Sequence, residues 1–154
     1  MFVRAVTVDL IRNCLNALGE GGIMLATFDT NTDSVTNLKA YTTEPYDKFV
    51  LNALVTINSE YGANFDLDQF KHVGIYNSEN KTVEHYVEAQ SRQVIKVDGK
   101  EYVFDAGERA LIFHCYKRSV DEIAGYAKIA GGVIKKTYFD QHGFLCLAWM
   151  EKAT

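Results

Sequence analysis

Gln93-Val94-Ile95-Lys96-Val97-Asp98-Gly99-Lys100-Glu101-Tyr102 is the stretch that decides the fold class. Asp98-Gly99 sits between two β-prone runs. A two-residue turn there needs positive φ at both positions, which Gly and Asp tolerate, so the segment reads as a hairpin. A hairpin commits its strands to antiparallel pairing. Working outward, residues 73–76, 82–86 and 111–117 also read as strands, separated by polar turns.

The flanks are helical. Val3, Val6, Leu10, Ile11, Cys14, Leu15 and Leu18 form a stripe at helical spacing over residues 3–18, and Gly19 follows as a stop. Residues 23–28 are a short apolar run between Gly22 and Asp29, read as a strand. Residues 29–37, rich in Asn, Thr, Asp and Ser, read as a loop. A second helix starts at Thr43-Glu44-Pro45, runs through Phe49, Val50, Ala53, Leu54 and Ile57, and stops at Gly62. Ser119 and Glu122 make a capping box for a third helix, which ends at Gly131-Gly132. A last helix is expected over residues 141–152, capped by Asp140. Strands clustered together with helices around them imply an α+β domain, with a mostly antiparallel sheet packed by helices. The expectation is a single domain, 1–154.

Composition narrows the function class. Of 154 residues, 47% are hydrophobic and 23% charged, with 9 Phe and 9 Tyr, which excludes an intrinsically disordered chain. The net charge of −4 argues against a nucleic-acid surface, which is normally basic. No apolar run approaches the roughly 20 residues that span a bilayer. Asp9 and Arg12 interrupt any signal-peptide core. Three cysteines far apart make no disulfide framework, so the chain reads as reduced and cytoplasmic.

The candidates for chemistry are His72, His85, His114, His142, Cys14, Cys115 and Cys146. The cysteines lack the paired spacing of a structural zinc site, so no metal is expected. The glycines at 19, 21 and 22 lack the Lys and Ser/Thr of a phosphate loop, and no other motif calls for a cofactor. His114 and Cys115 are strand neighbours and point to opposite faces. His142 reads as a capped surface position. One constellation rises above these. A cysteine nucleophile needs a helix N-terminus to favour its thiolate, an imidazole within reach, and a third polar group to orient that imidazole. Cys146 at the start of the last expected helix, His72 opening a strand, and Glu88 on the next strand fit those roles.

The words His72-Val73-Gly74-Ile75-Tyr76, Val87-Glu88-Ala89, Thr137-Tyr138-Phe139-Asp140 and Gly143-Phe144-Leu145-Cys146 give residues 70–150 a resemblance to the circularly permuted NlpC/P60 papain-like hydrolases. The resemblance implies a permuted papain-like fold, with His72 as base, Glu88 as orienting group and Cys146 as nucleophile. It implies hydrolysis of an amide or ester through an acyl-thioester, on a small-molecule, peptide or lipid substrate. Cys14 is a rival nucleophile, although its apolar stripe favours burial. The contrasting expectation is a non-catalytic, phage-type accessory protein docking onto a host protein through aromatics such as Tyr41, Tyr46 or Tyr61. Residues 1–65 match no family by inspection.

Overall fold

The computed structural model describes residues 2–153, and side chains from Ala5 onward. The chain gathers into two compact units. One combines residues up to Thr32 with those from Lys117, and the other is Asp33–Tyr116.

The first unit contains α1 (Phe2–Leu18), β1 (Ile23–Asp29), α4 (Val120–Ile129), β7 (Gly132–Phe139) and β8 (Leu145–Lys152). Its strands form an antiparallel sheet in the order β1-β8-β7. β8 is central, and alternate residues Cys146, Ala148 and Met150 enter a core with Val8, Ile11 and Leu15 of α1 and Ile123, Tyr126 and Ala127 of α4. The capping box is made: the Ser119 side chain accepts from the Glu122 N–H, and the Glu122 carboxylate accepts from the Ser119 N–H.

The second unit contains α2 (Ser34–Tyr41), α3 (Glu44–Tyr61), β2 (Phe70–Asn77), β3 (Thr82–Ala89), β4 (Gln93–Val97), β5 (Lys100–Phe104) and β6 (Arg109–Tyr116). The sheet β2-β3-β6 and the hairpin β4-β5 are antiparallel. Asp98 and Gly99 take φ of 48° and 74°, as the hairpin turn demands. Pro45 sits in the first turn of α3, and Gly62 caps its end at φ 61°. Val50, Leu54, Phe70, Val87, Ala89 and Ile95 form the core of this unit.

The fold is thus α+β with antiparallel sheets, and it differs from the sequence expectations in several places. Residues 145–152 are the strand β8, not a helix. Asp140 caps a turn instead, accepting from the N–H groups of Leu145 and His142. Residues 34–37 of the expected loop are instead the start of the helix Ser34–Tyr41, because Asp33 accepts from the Thr36 N–H as an N-cap. The buried stripe of α1 is Val8, Ile11 and Leu15, whereas Val6 and Leu10 are exposed; the side chain of Val3 lies outside the described residues. Residues 132–139, read as no element, form β7.

Candidate functional site

The richest side-chain chemistry lies in the Asp33–Tyr116 unit, on one face of the sheet β2-β3-β6. Register explains how it assembles. Gly74 on β2 faces His85 on β3, and His85 faces Phe113 on β6. Facing residues share a side of the sheet, and so do residues two apart on a strand. His72 therefore stands on the same face as His85, one diagonal step away. Gly74 has no side chain to stand between them; a Cβ there would lie 3.7 Å from His72 Nε2. The two imidazoles stack, with centroids 5.2 Å apart and planes 23° apart. The register between β3 and β6 shifts just after His85, a bulge of the kind that re-aims side chains near functional sites.

The first turn of α3 closes over this face. His72 Nδ1 lies 2.6 Å from Asp47 Oδ1, and His72 Nε2 lies 3.0 Å from His85 Nδ1. The His72 side chain and His85 are fully buried, whereas the Asp47 side chain keeps 41% of its exposure. Aromatic rings surround His85: Phe113 stacks at 4.6 Å, Tyr46 tilts at 5.2 Å and Tyr41 meets it edge-on at 5.3 Å. The Tyr46 hydroxyl approaches Cys115 Sγ at 3.8 Å. Burial, reinforced by the contact with Cys115, pushes the Tyr46 phenol well above its ordinary range.

The residues expected from sequence are placed differently. Cys146 lies on β8 of the first unit, paired with Phe28 and Phe139, and is fully buried. No helix N-terminus favours its thiolate, and burial raises the thiol instead. His72 and Glu88 do lie on adjacent strands. The register pairs Glu88 with Lys71 and Arg109, however, so it points to the face opposite His72. Its carboxylate accepts from Lys71 Nζ at 2.7 Å and Arg109 Nε at 2.6 Å, and it does not orient the imidazole. Cys14 on α1 is half-buried. His142 lies in the exposed turn before β8, where its ring meets the Gln141 side chain. Sequence reasoning missed Asp47 and Phe113; it singled out His85 and Cys115 as reactive candidates and Tyr46 as a docking aromatic, but grouped none of them with His72. Alternation along residues 83–87, with Val83, His85 and Val87 in phase, was the signal that His85 faces inward.

No group of three or more metal-ligating side chains occurs among the described residues. Among those residues no helix is long and apolar enough to cross a membrane.

A family model described as histidine-specific methyltransferase, SAM-dependent, matches residues 2–152. The histidine N-alpha-methyltransferase of Mycobacterium tuberculosis is 39% identical over 66 residues, which are 42% of this chain and 21% of that protein. The enzyme of the same name from Mycolicibacterium smegmatis is 38% identical over 65 residues, 41% of this chain and 20% of that protein. The aligned stretch thus spans about a fifth of the length of these curated relatives. An S-adenosylmethionine-dependent methyltransferase from Clostridium acetobutylicum aligns with a TM-score of 0.46 and 12% identity, over 96% of this chain and 51% of that one. The CcbJ methyltransferase from Streptomyces caelestis aligns at 0.43 and 11%, over 97% and 54%.

These matches overturn the NlpC/P60 resemblance, and with it the permuted papain-like fold, the cysteine-hydrolase activity and the phage-type accessory role. The catalytic roles given to Cys146, His72 and Glu88 were roles in that hydrolase. The resemblance rested on short words such as His72–Tyr76 that any antiparallel sheet can contain, whereas the methyltransferase match runs through nearly the whole chain.

Proposed function

The chain belongs to the histidine-specific, SAM-dependent methyltransferase family, and on that premise we propose that it serves methyl transfer to a nitrogen of histidine or a closely related small amine, with the Asp33–Tyr116 unit holding the acceptor. The observation that carries this reading is the family match across residues 2–152. The site chemistry supports it. The cluster already stacks the imidazoles of His72 and His85 against Tyr41, Tyr46 and Phe113. Those are the surroundings an imidazole-bearing ligand needs, since aromatic rings favour stacked and edge-on neighbours.

The cofactor is a different matter. Nucleoside cofactors are commonly held where a strand passes through a glycine turn into a helix. Among the described residues no strand does so; the glycines at 19, 21 and 22 lead from helix α1 into strand β1, the reverse order. These glycines do not form such a cradle. The acceptor side stands independently. An amine takes a methyl group through its lone pair, so an ammonium must first shed a proton.

Titration of L-histidine into the isotopically labelled chain tests the reading by NMR. Resonances of Tyr41, Tyr46, Asp47, His85 and Phe113 are expected to shift together and saturate. Shifts that are absent, or confined to residues 117–153, would overturn it.

A further inference from the structure

The contacts of Asp47, His72 and His85 fix more than shape. A carboxylate only accepts hydrogen bonds, so His72 Nδ1, 2.6 Å from Asp47 Oδ1, carries the proton of that bond. In a neutral His72 the Nε2 atom is then an acceptor. Its neighbour 3.0 Å away, His85 Nδ1, must therefore be the N–H donor. That leaves His85 Nε2 as the nitrogen with the lone pair. The tautomer of a fully buried ring is thus dictated from a partly exposed carboxylate two residues away along the chain of hydrogen bonds. Tyr41 from α2, Tyr46 from α3 and Phe113 from β6 pack round the ring, and Cys115 of β6 meets Tyr46. Among these, Asp47 is the group that offers a negative charge to the relay.

We propose that Asp47, His72 and His85 form a proton relay that holds His85 as its Nδ1–H tautomer and carries the proton shed by an amine acceptor out to the surface. The second part rests on the proposed function; the first does not. The proton count balances. The ammonium gives one proton to His85 Nε2 and becomes the amine. His85 passes its Nδ1 proton to His72 Nε2, and His72 passes its Nδ1 proton to Asp47, from which water takes it. Both rings end neutral with their tautomers reversed. Asp47 and His72 are positioning residues in this scheme, acting through His85.

Long-range ¹⁵N spectra of the imidazoles test the relay in the ligand-free chain at neutral pH. The expected result is His85 protonated on Nδ1 with Nε2 bare, the reverse of the tautomer that free histidine favours. A protonated Nε2 in neutral His85 overturns the relay outright. Asp47→Ala, at a partly exposed position, is expected to abolish the Nδ1–H preference of both rings; an unchanged tautomer overturns the anchoring role. Asp47→Asn keeps an acceptor oxygen and hence the tautomer, but cannot take up a proton. Exchange of the His85 ring N–H with solvent is then expected to slow by about a hundredfold, the scale of a positioned acid–base group. Equal or faster exchange in Asp47→Asn overturns conduction. Added L-histidine is expected to put a proton on Nε2 of His85. Binding without that change overturns the acceptor step, while failure of L-histidine to bind overturns the proposed function and leaves the tautomer and exchange results to decide the relay.

Discussion

Lys117 Nζ is bonded to Asp29 Oδ2, and the lysine side chain is fully buried while the aspartate keeps 27% of its exposure. The backbone repeats the link, with the Arg118 N–H donating to the Asp29 carbonyl at 2.9 Å. Asp29 ends β1 and Lys117 follows β6, so the pair ties the point where the chain leaves the first unit to the point where it returns. A buried ammonium stripped of its carboxylate is costly, because desolvation is no longer offset by attraction. Asp29→Ala is expected to lower unfolding stability by about 3–5 kcal/mol. Asp29→Ala with Lys117→Met, which removes both charges, should recover much of that loss. Urea denaturation of the three proteins checks it. A single-variant loss under about 1 kcal/mol, the ordinary worth of a surface pair, would count against the assignment.

Cys146 carries a prediction of the opposite kind. Its thiol is raised by burial and sits in the apolar core beside Ala148 and Met150. Reactivity needs a thiolate and access, and Cys146 has neither. In the native protein iodoacetamide near neutral pH is expected to leave Cys146 unmodified while the half-buried Cys14 reacts. Mass spectrometry of the digest reads the outcome. Rapid native alkylation of Cys146 would contradict its place on β8.

Much of this fold is legible in residue order. Asp98-Gly99, the Ser119/Glu122 box, and the Pro45 and Gly62 boundaries of α3 all act locally, so their signals survive in the sequence alone. β8 was misread for a physical reason. Leu145 to Met150 is a continuous apolar run, and such a run carries no period that separates strand from helix. Only its place between β1 and β7 makes it a central strand. The polar helix α2 and the Lys-rich strand β7 were missed because solvent-facing residues hide the periodicity of an element. The candidate site was half visible. His72 stood out, but its partner Asp47 lies 25 positions away on a helix, and His85 reaches it only diagonally, through the β2–β3 register that sets His85 opposite Gly74. Glu88 was placed on the right strand and the wrong face, a one-residue difference that reverses direction.

Gly132 gives a packing prediction. A Cβ built there would lie 2.5 Å from Leu15 Cδ1, 3.2 Å from the Glu151 carbonyl oxygen and 3.3 Å from that of Ala127. The leucine tip can turn aside, but the two carbonyls belong to β8 and α4 and cannot both retreat. Gly132→Ala is expected to destabilise the protein by about 1–3 kcal/mol, the usual cost of overpacking. Gly132→Ala with Leu15→Ala removes the side-chain clash while leaving the backbone contacts, and its departure from additivity in chemical denaturation measures how much of the strain Leu15 carries. Wild-type stability in Gly132→Ala would show that β7 does not approach α1 this closely.

Glu88 predicts acid sensitivity. Hydrogen bonds from Lys71 first, and then from Arg109, hold its carboxyl below the usual glutamate range, and its neighbour Glu84 is lowered in the same way, chiefly by the Tyr86 hydroxyl. A carboxyl with a lowered value in the folded state contributes stability above its ordinary value in the unfolded chain. That contribution fades as pH falls through the lowered folded value. Circular dichroism melts across acid pH are therefore expected to show stability falling from about pH 4–5 downward. Glu88→Gln should be less stable than wild type at neutral pH and equal to it once the wild-type carboxyl is protonated. Because the pair with Lys71 is partly exposed, added salt should narrow the neutral-pH gap. A gap that persists unchanged at the acid end would mean Glu88 acts by shape and not by charge.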